Sequence, residues 1–121
     1  MLYHAEIGFP KVNLWSGCLS LSYSIHALQA ANSDRYGHMA LPSTLDIAAA
    51  QIIEIEVEAG KVIKTLYRIS YSDRLDICLA VLANGFVKTV WFNEKTDKHF
   101  TLDVSKYARP SNLTPRKIRF R

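Results

Sequence analysis

The stretch IIEIEVEAGKVIKTLYRISY, residues 52–71, decides the fold that this sequence predicts. Ile53, Ile55 and Val57 alternate with three glutamates, and a second alternating run begins at Lys61. Successive side chains of a β-strand point to opposite faces, so a period of two indicates strands. An Ala-Gly pair lies between the two runs and predicts a turn. The stretch therefore predicts two neighbouring strands of an antiparallel sheet.

Further segments downstream extend this sheet. Residues 76–83, DICLAVLA, are almost continuously apolar, which is typical of a central strand. Asn84-Gly85 follows and is the strongest hairpin signal in the chain. FVKTVWFN at 86–93 is the next strand, and EKTD then turns the chain into a last strand, KHFTLDV, at 98–104. The second half thus predicts an antiparallel meander of four or five strands.

The first half predicts helices together with short strands. Ser24 is the predicted N-cap of a helix in SIHALQAANSDR, and Ser43 or Thr44 caps a second short helix through residues 45–52. Because helices precede strands, the predicted class is α+β, with N-terminal helices packed on an antiparallel four- to five-stranded β-meander. Short strands are also predicted upstream, at residues 2–7, 12–15 and 18–23.

Length and composition limit the class of protein. The chain has 121 residues, the size of one domain, and residues 1–108 are assigned to a single α+β domain. It lacks an apolar run of the roughly 18 residues that a membrane span needs, and its N-terminus lacks the basic start of a signal peptide. Cys18 and Cys78 stand far apart without a CxxC motif, so we expect free thiols in a cytoplasmic protein.

The basic residues are concentrated at the C-terminal end. The chain has 15 Lys and Arg against 11 Asp and Glu. Residues 109–121 contain five of these cations and no acid, which leaves residues 1–108 with ten cations and eleven acids. This basic tail favours an anionic partner such as nucleic acid, and a solvated terminus explains it equally well.

One face of the predicted sheet collects polar side chains suited to phosphodiester chemistry. Cations stabilise charge on phosphate oxygens, an imidazole transfers protons near neutral pH, and an aromatic ring stacks an unpaired base. The alternative is an ordinary solvated strand face. No spacing of His, Cys, Asp or Glu matches a metal signature, so we expect neither a metal nor another cofactor. The residues on this face are Lys64, Arg68, Thr89, Trp91, His99 and Thr101.

The first predicted helix supplies a second candidate group. His26 lies near its N-terminus, where the helix dipole disfavours the cationic imidazole and so suits a general base. Arg35 follows the predicted C-terminal end. The alternative is a histidine half-buried between helix and sheet.

The order of these motifs resembles the barnase–EndoU–colicin–RelE superfamily of small ribonucleases. The resemblance rests on SIHA at the start of a helix and on an arginine about nine residues later. It also rests on the motifs KVIKTLYRISY, DICLAVLANG and FVKTVWFNEKTDKHFTL, all within residues 18–107. The layout is similar to colicin D-type and RelE-like toxins, and the last motif also resembles small proteins of tailed bacteriophages. The resemblance implies a metal-independent ribonuclease and carries over His26, Lys64, Arg68 and Thr89 by position.

Two main hypotheses about function follow. In the first, a toxin-type endoribonuclease acts on tRNA or mRNA and has an inhibitor or antitoxin as a partner. His26 or His99 removes the 2′-hydroxyl proton, and the second histidine protonates the leaving 5′-oxygen. Lys64 and Arg68 stabilise the pentacoordinate phosphate, and Thr89 positions it. The residues expected to contact RNA are Arg35, Trp91, Arg116, Lys117 and Arg119.

In the second hypothesis, a non-catalytic phage protein binds and inhibits a host protein or nucleic acid in the host cytoplasm. The polar sheet face is then an interaction surface with Trp91 and Arg68 as anchors. A third alternative is nucleic-acid binding that depends mainly on the tail.

Overall fold

The computed structural model describes residues 1–97 and 104–110. Within these ranges the chain is mostly β and contains one α-helix. In chain order the elements are β1 (Leu2–His4), β2 (Cys18–Ser20), β3 (Ser22–Tyr23), α1 (Ile25–Ser33), β4 (Thr44–Asp46), a 3-10 turn (Ile47–Ala49), β5 (Gln51–Glu58), β6 (Lys61–Ser70), β7 (Leu75–Leu82), β8 (Phe86–Glu94) and a second 3-10 turn (Val104–Lys106).

The strands form a six-stranded mixed sheet in the order β1-β5-β6-β7-β8-β3. Its four central strands are consecutive in the chain and antiparallel, whereas β3 pairs with β8 in parallel. β2 and β4 form a separate antiparallel ladder. The strands β5 to β8 lie where the alternating pattern and the Asn-Gly signal predict them.

The predicted class, N-terminal helices packed on a β-meander, is wrong. Residues 45–52 do not form the second helix: Leu45 is in β4, and the chain then makes a single 3-10 turn before β5 begins at Gln51. Asp46 accepts a hydrogen bond from the amide of Ala48 and caps that turn. The helix propensity of three alanines is a weak preference, and burial of Leu45 and Ile47 in the core outweighs it.

The main core lies on one face of the sheet, the helix-side face. Tyr67, Leu79 and Val90 occupy directly opposed positions on β6, β7 and β8 and are almost fully buried. They belong to one cluster with Ala27 and Ala31, the two buried residues of α1. Small side chains at these two positions let the helix approach the strands closely, so α1 covers the helix-side face.

Both ends of α1 are also fastened to the outer edge of β8. At its N-terminus the hydroxyl of Ser24 donates to the Lys88 carbonyl at 2.7 Å and accepts from the Ala27 amide at 2.9 Å. At its C-terminus a carboxylate oxygen of Asp34 accepts from the Phe92 amide at 3.0 Å. The ten residues from Ser24 to Asp34 rise about 15 Å in a helix. The four residues from Lys88 to Phe92 extend about 13 Å in a strand, so the two spacings match.

Asp34 therefore supports the edge of β8, and its removal tests that role. We expect Asp34→Ala to lower the free energy of unfolding by about 1–3 kcal/mol, because the amides of Phe92 and Tyr36 both lose their acceptor. Asp34→Asn keeps an acceptor oxygen for one of these two amides and should lose about half as much. Urea unfolding monitored by circular dichroism measures both. Equal losses in the two variants would contradict the hydrogen-bonding role.

Replacement of Gly85 by alanine tests the close approach between the β7–β8 hairpin and β2. Its φ is +86°, and a Cβ there would overlap the backbone carbonyl of Ser20, whereas at Gly60, with φ +75°, a Cβ meets no atom within 4 Å. Gly60→Ala should therefore destabilise by about 1 kcal/mol through backbone strain alone. Gly85→Ala should destabilise by at least about 2 kcal/mol more, because a backbone must move. Equal urea midpoints for the two variants would refute the contact.

Candidate functional site

The sheet has a second face, which α1 does not cover and which we call the open face, and four predicted site residues lie on it. Arg68 of β6 is opposite Cys78 of β7, which is in turn opposite Trp91 of β8. Lys64 lies on the same face, four residues before Arg68, and Thr89 lies two residues before Trp91. Directly opposed residues share a face, so Lys64, Arg68, Thr89 and Trp91 point to one side of the sheet.

The middle of the open face is apolar. Leu66, Ala80, Leu82 and Trp91 are half-buried there and belong to neither hydrophobic core cluster of the described residues. Leu66, Ala80 and Thr89 form one cross-strand row, and Leu82 lies opposite Lys64. We call Leu66, Ala80, Leu82, Thr89 and Trp91 the central patch.

Lys64 is already paired. Its ammonium lies 3.3 Å from a carboxylate oxygen of Glu56, its cross-strand partner, and both side chains are about 30% exposed. An ion pair as exposed as this one contributes little to stability, but it neutralises the lysine on the rim of the open face.

Arg68 is part of a buried ionic network and not a free surface cation. Only 6% of the residue is exposed. Its Nε donates to a carboxylate oxygen of Asp76 at 2.7 Å, and its Nη2 donates to the carbonyl of Glu94 at 2.9 Å. Lys95 donates to the second oxygen of Asp76 at 2.7 Å. Arg68 thereby ties β6 to β7 and to the end of β8.

This network sets the ionisation of Asp76. Burial by itself raises the pKa of this carboxyl, but hydrogen bonds from Lys95 and Arg68 outweigh it and hold the pKa below its ordinary value of 3.8. Asp76 is therefore a carboxylate at neutral pH. Two residues further along β7, burial raises the pKa of the Cys78 thiol to about 11, so this cysteine is neutral and unsuited to act as a nucleophile.

His26 lies on the opposite side of the sheet from Lys64 and Arg68. It is an exposed residue of α1, whose buried residues Ala27 and Ala31 pack on the helix-side face. Because the sheet lies between α1 and the open face, the structure does not bring this imidazole to the two cations. Arg35 follows the end of α1 and is exposed, with its guanidinium 4.8 Å from the centre of the Tyr36 ring.

The remaining predicted site residues lie outside the described residues: His99, Thr101, Arg116, Lys117 and Arg119. Among residues 1–97 and 104–110 no three His, Cys, Asp or Glu side chains are grouped as metal ligands. No helix in these ranges is long and apolar enough to cross a membrane.

Two polar groupings were missed by sequence reasoning. Asp76 looks like a scattered turn charge, yet it is the partner of Arg68 across the β6–β7 hairpin. The register that pairs Ser70 with Asp76 brings the Arg68 and Asp76 side chains together, and that register is not readable from the sequence. The second grouping joins distant segments: the Tyr107 hydroxyl donates to Glu54 at 2.9 Å, and the rings of Tyr107 and His4 contact each other edge-on at 4.9 Å. No local signal in the sequence indicates this grouping.

The Asp76 network predicts a specific dependence of stability on pH. Because the folded pKa of Asp76 is depressed, its stabilisation is present above pH 4 and is lost as the pH falls below about 4. Asp76→Asn should lower the free energy of unfolding by about 3 kcal/mol at pH 7, since it leaves Arg68 buried without its counter-charge. The difference between wild type and variant should shrink in acid.

Asp73→Asn is the matched control, because Asp73 is exposed in the adjoining turn. We expect it to change stability by less than about 0.5 kcal/mol at either pH. Urea unfolding at pH 7 and pH 3 measures both variants. A loss in Asp76→Asn that matches the control, or that grows on acidification, would refute the assignment.

Comparisons of the chain with protein-family models, with curated proteins and with solved structures found no match. The resemblance to the ribonuclease superfamily therefore stays a prediction that rests on the quoted motifs.

Proposed function

We propose that this chain is a non-catalytic binding protein that docks on a partner protein. The observation that carries the proposal is the make-up of the open face. Its centre is apolar and half-buried, and the two predicted catalytic cations beside it, Lys64 and Arg68, are already ion-paired. An apolar centre with a charged rim is the usual anatomy of a protein–protein interface.

The described geometry favours binding over RNA cleavage. Phosphoryl chemistry of the predicted kind needs a base within about 3 Å of the hydroxyl and cations that can approach the phosphate. The guanidinium of Arg68 is directed at Asp76 and at the Glu94 carbonyl. His26 lies on the other side of the sheet from this guanidinium. The described residues therefore offer no acid–base pair beside an available cation.

A protein partner is also favoured over a nucleic acid on this face. Affinity for nucleic acid comes largely from Lys and Arg side chains that displace counterions from phosphates. On the open face Lys64 is balanced by Glu56, and Arg68 and Lys95 contact Asp76. Binding of nucleic acid through the basic tail is a separate hypothesis, and deleting residues 109–121 tests it.

Incubation with total RNA and tRNA in EDTA, followed by sequencing of the 5′ and 3′ ends, tests the proposal. We expect no new ends from the wild-type protein, and identical profiles from His26→Ala and Lys64→Ala. Arg68→Ala is a poor choice for this test, because it removes one partner of a buried ion pair and destabilises the fold. New ends that disappear in His26→Ala would overturn the proposal in favour of the endoribonuclease.

Growth of cells that express the protein provides a second readout. Arrest that persists in His26→Ala and disappears when the open face is altered agrees with binding. Arrest that disappears in His26→Ala, with the open face intact, contradicts it.

A further inference from the structure

Residues 9–16, which we call the strap, lie between β1 and β2 without forming a helix or a strand. None of these residues is fully buried, and none makes a hydrogen bond or an ion pair with another described residue. The flanking backbone hydrogen bonds run from the Gly8 amide to the His4 carbonyl and from the Ile47 amide to the Gly17 carbonyl. Among the described residues, side-chain packing alone therefore holds the strap on the sheet.

Trp15 is the side chain through which the strap contacts both hydrophobic clusters of the helix-side face. It packs against the main core and against a smaller group that we call the edge cluster, whereas Phe9 and Val12 pack against the edge cluster alone. Its ring centre lies 6.5 Å from that of Tyr67. Trp15 thus covers the junction between the two clusters. The buried members of the edge cluster are Tyr3, Ile55, Val57 and Val62.

The strap can open without disturbing the sheet. Its two bounding residues, Gly8 and Gly17, both have positive φ. Opening separates only half-buried side chains from the sheet and breaks no hydrogen bond between the strap and another described residue. Segments with few buried contacts and no backbone hydrogen bonds lie at the low end of the range of local opening free energies. The strap is therefore a movable cover over Tyr67 and the edge cluster.

Tyr67, which Trp15 covers, has a buried hydroxyl without a hydrogen-bond partner among the described residues. Burial raises the pKa of Tyr67, and the nearby Thr65 hydroxyl opposes that rise without the geometry of a hydrogen bond. Thr65 is opposite Ile55 of the edge cluster, so the phenol oxygen lies toward the junction that Trp15 covers. A buried donor that lacks an acceptor is costly, so an acceptor brought to this place would be bound.

A cavity of about 610 Å³ lies beside the first half of the strap. Residues 10–12 of the strap line it from one side, and Tyr3 and Val57 of the edge cluster line it from the other. Its walls are mostly apolar, and its volume is within the range of small-molecule pockets. The cavity opens to solvent and gives a small molecule access to the edge of the strap.

We propose that the strap is the lid of a small-molecule site and opens at Gly8 and Gly17. The ligand is a flat, apolar molecule of about the size of an indole ring with one hydrogen-bond acceptor. It takes the place of the Trp15 side chain, and its acceptor receives the proton of the Tyr67 hydroxyl in a hydrogen bond. This site lies on the helix-side face. It is separate from the central patch, so it does not depend on the proposed function.

Titration of the ¹⁵N-labelled protein with acetophenone and with ethylbenzene tests the site, because the two molecules differ only in a carbonyl acceptor. The indole N–H signal of Trp15 reports on the strap, and that of Trp91, on the other face, is the control. We expect acetophenone to shift the Trp15 signal saturably and to bind at least about threefold more tightly than ethylbenzene. An unmoved Trp15 signal, a Trp91 signal that moves as much, or equal affinities would overturn the proposal.

Three variants test the roles of the side chains, with the backbone amides of residues 65–67 as reporters. Tyr67→Phe removes only the hydroxyl and should bring the two affinities within about twofold of each other. Trp15→Ala removes the competing ring and should tighten acetophenone binding at least about threefold. Leu14→Ala, at a residue 40% exposed on the same strap, is the control and should stay within about twofold of wild type.

Thermal unfolding shows whether Trp15→Ala is folded, and Trp15→Val replaces it with the same expectation if it is not. A preference for acetophenone that survives in Tyr67→Phe contradicts the role of the hydroxyl. Acetophenone binding that weakens when Trp15 is shortened, or that changes as much in Leu14→Ala, contradicts the role of the strap as a lid.

Discussion

The architecture depends on how α1 is fastened along β8. Ser24 and Asp34 lie at the two ends of the helix, and each satisfies a backbone group on the outer edge of that strand. The match between the length of the helix and the length of the strand segment holds α1 in one position. Because its buried residues then face Tyr67 and Leu79, α1 covers the helix-side face of the sheet. The edge is closed by the same two contacts, which is a common way to prevent unwanted strand pairing.

This placement separates the residues that the sequence suggests should act together. His26 accompanies the helix to one side, while Lys64, Arg68, Thr89 and Trp91 lie on the other. Arg68 is held inside the sheet surface by Asp76, in a network that Lys95 completes. A buried arginine with its counter-charge is a structural element, because breaking the pair would leave an uncompensated charge in a poorly solvated place. At Arg68, the strand pattern that suggests an active site is thus explained by stability.

The ion pairs of Lys64 and Arg68 determine which groups of the open face remain without a charged partner of their own to contact: the apolar ones. Lys64 is paired with Glu56, and Arg68 is paired with Asp76. The apolar side chains in the middle of the face are therefore the groups that a contact would still stabilise. This apolar centre is the basis of the proposal that the partner is a protein and not a polyanion.

The sequence by itself determined the strands between residues 51 and 94, the hairpin at Asn84-Gly85 and the N-cap at Ser24, because each depends on side chains within a few residues of one another. Only the tertiary structure decided that β3 pairs with β8, that β1 extends the other side of the sheet and that residues 45–52 do not form a helix. These pairings join segments far apart in the chain, and the burial they create outweighs local propensity. It also decided which charged residues are available, since the partner of Arg68 is set by the register of a hairpin and the side on which His26 lies is set by the packing of α1. A period of two shows that residues share a face, but what covers that face depends on contacts that the period does not encode.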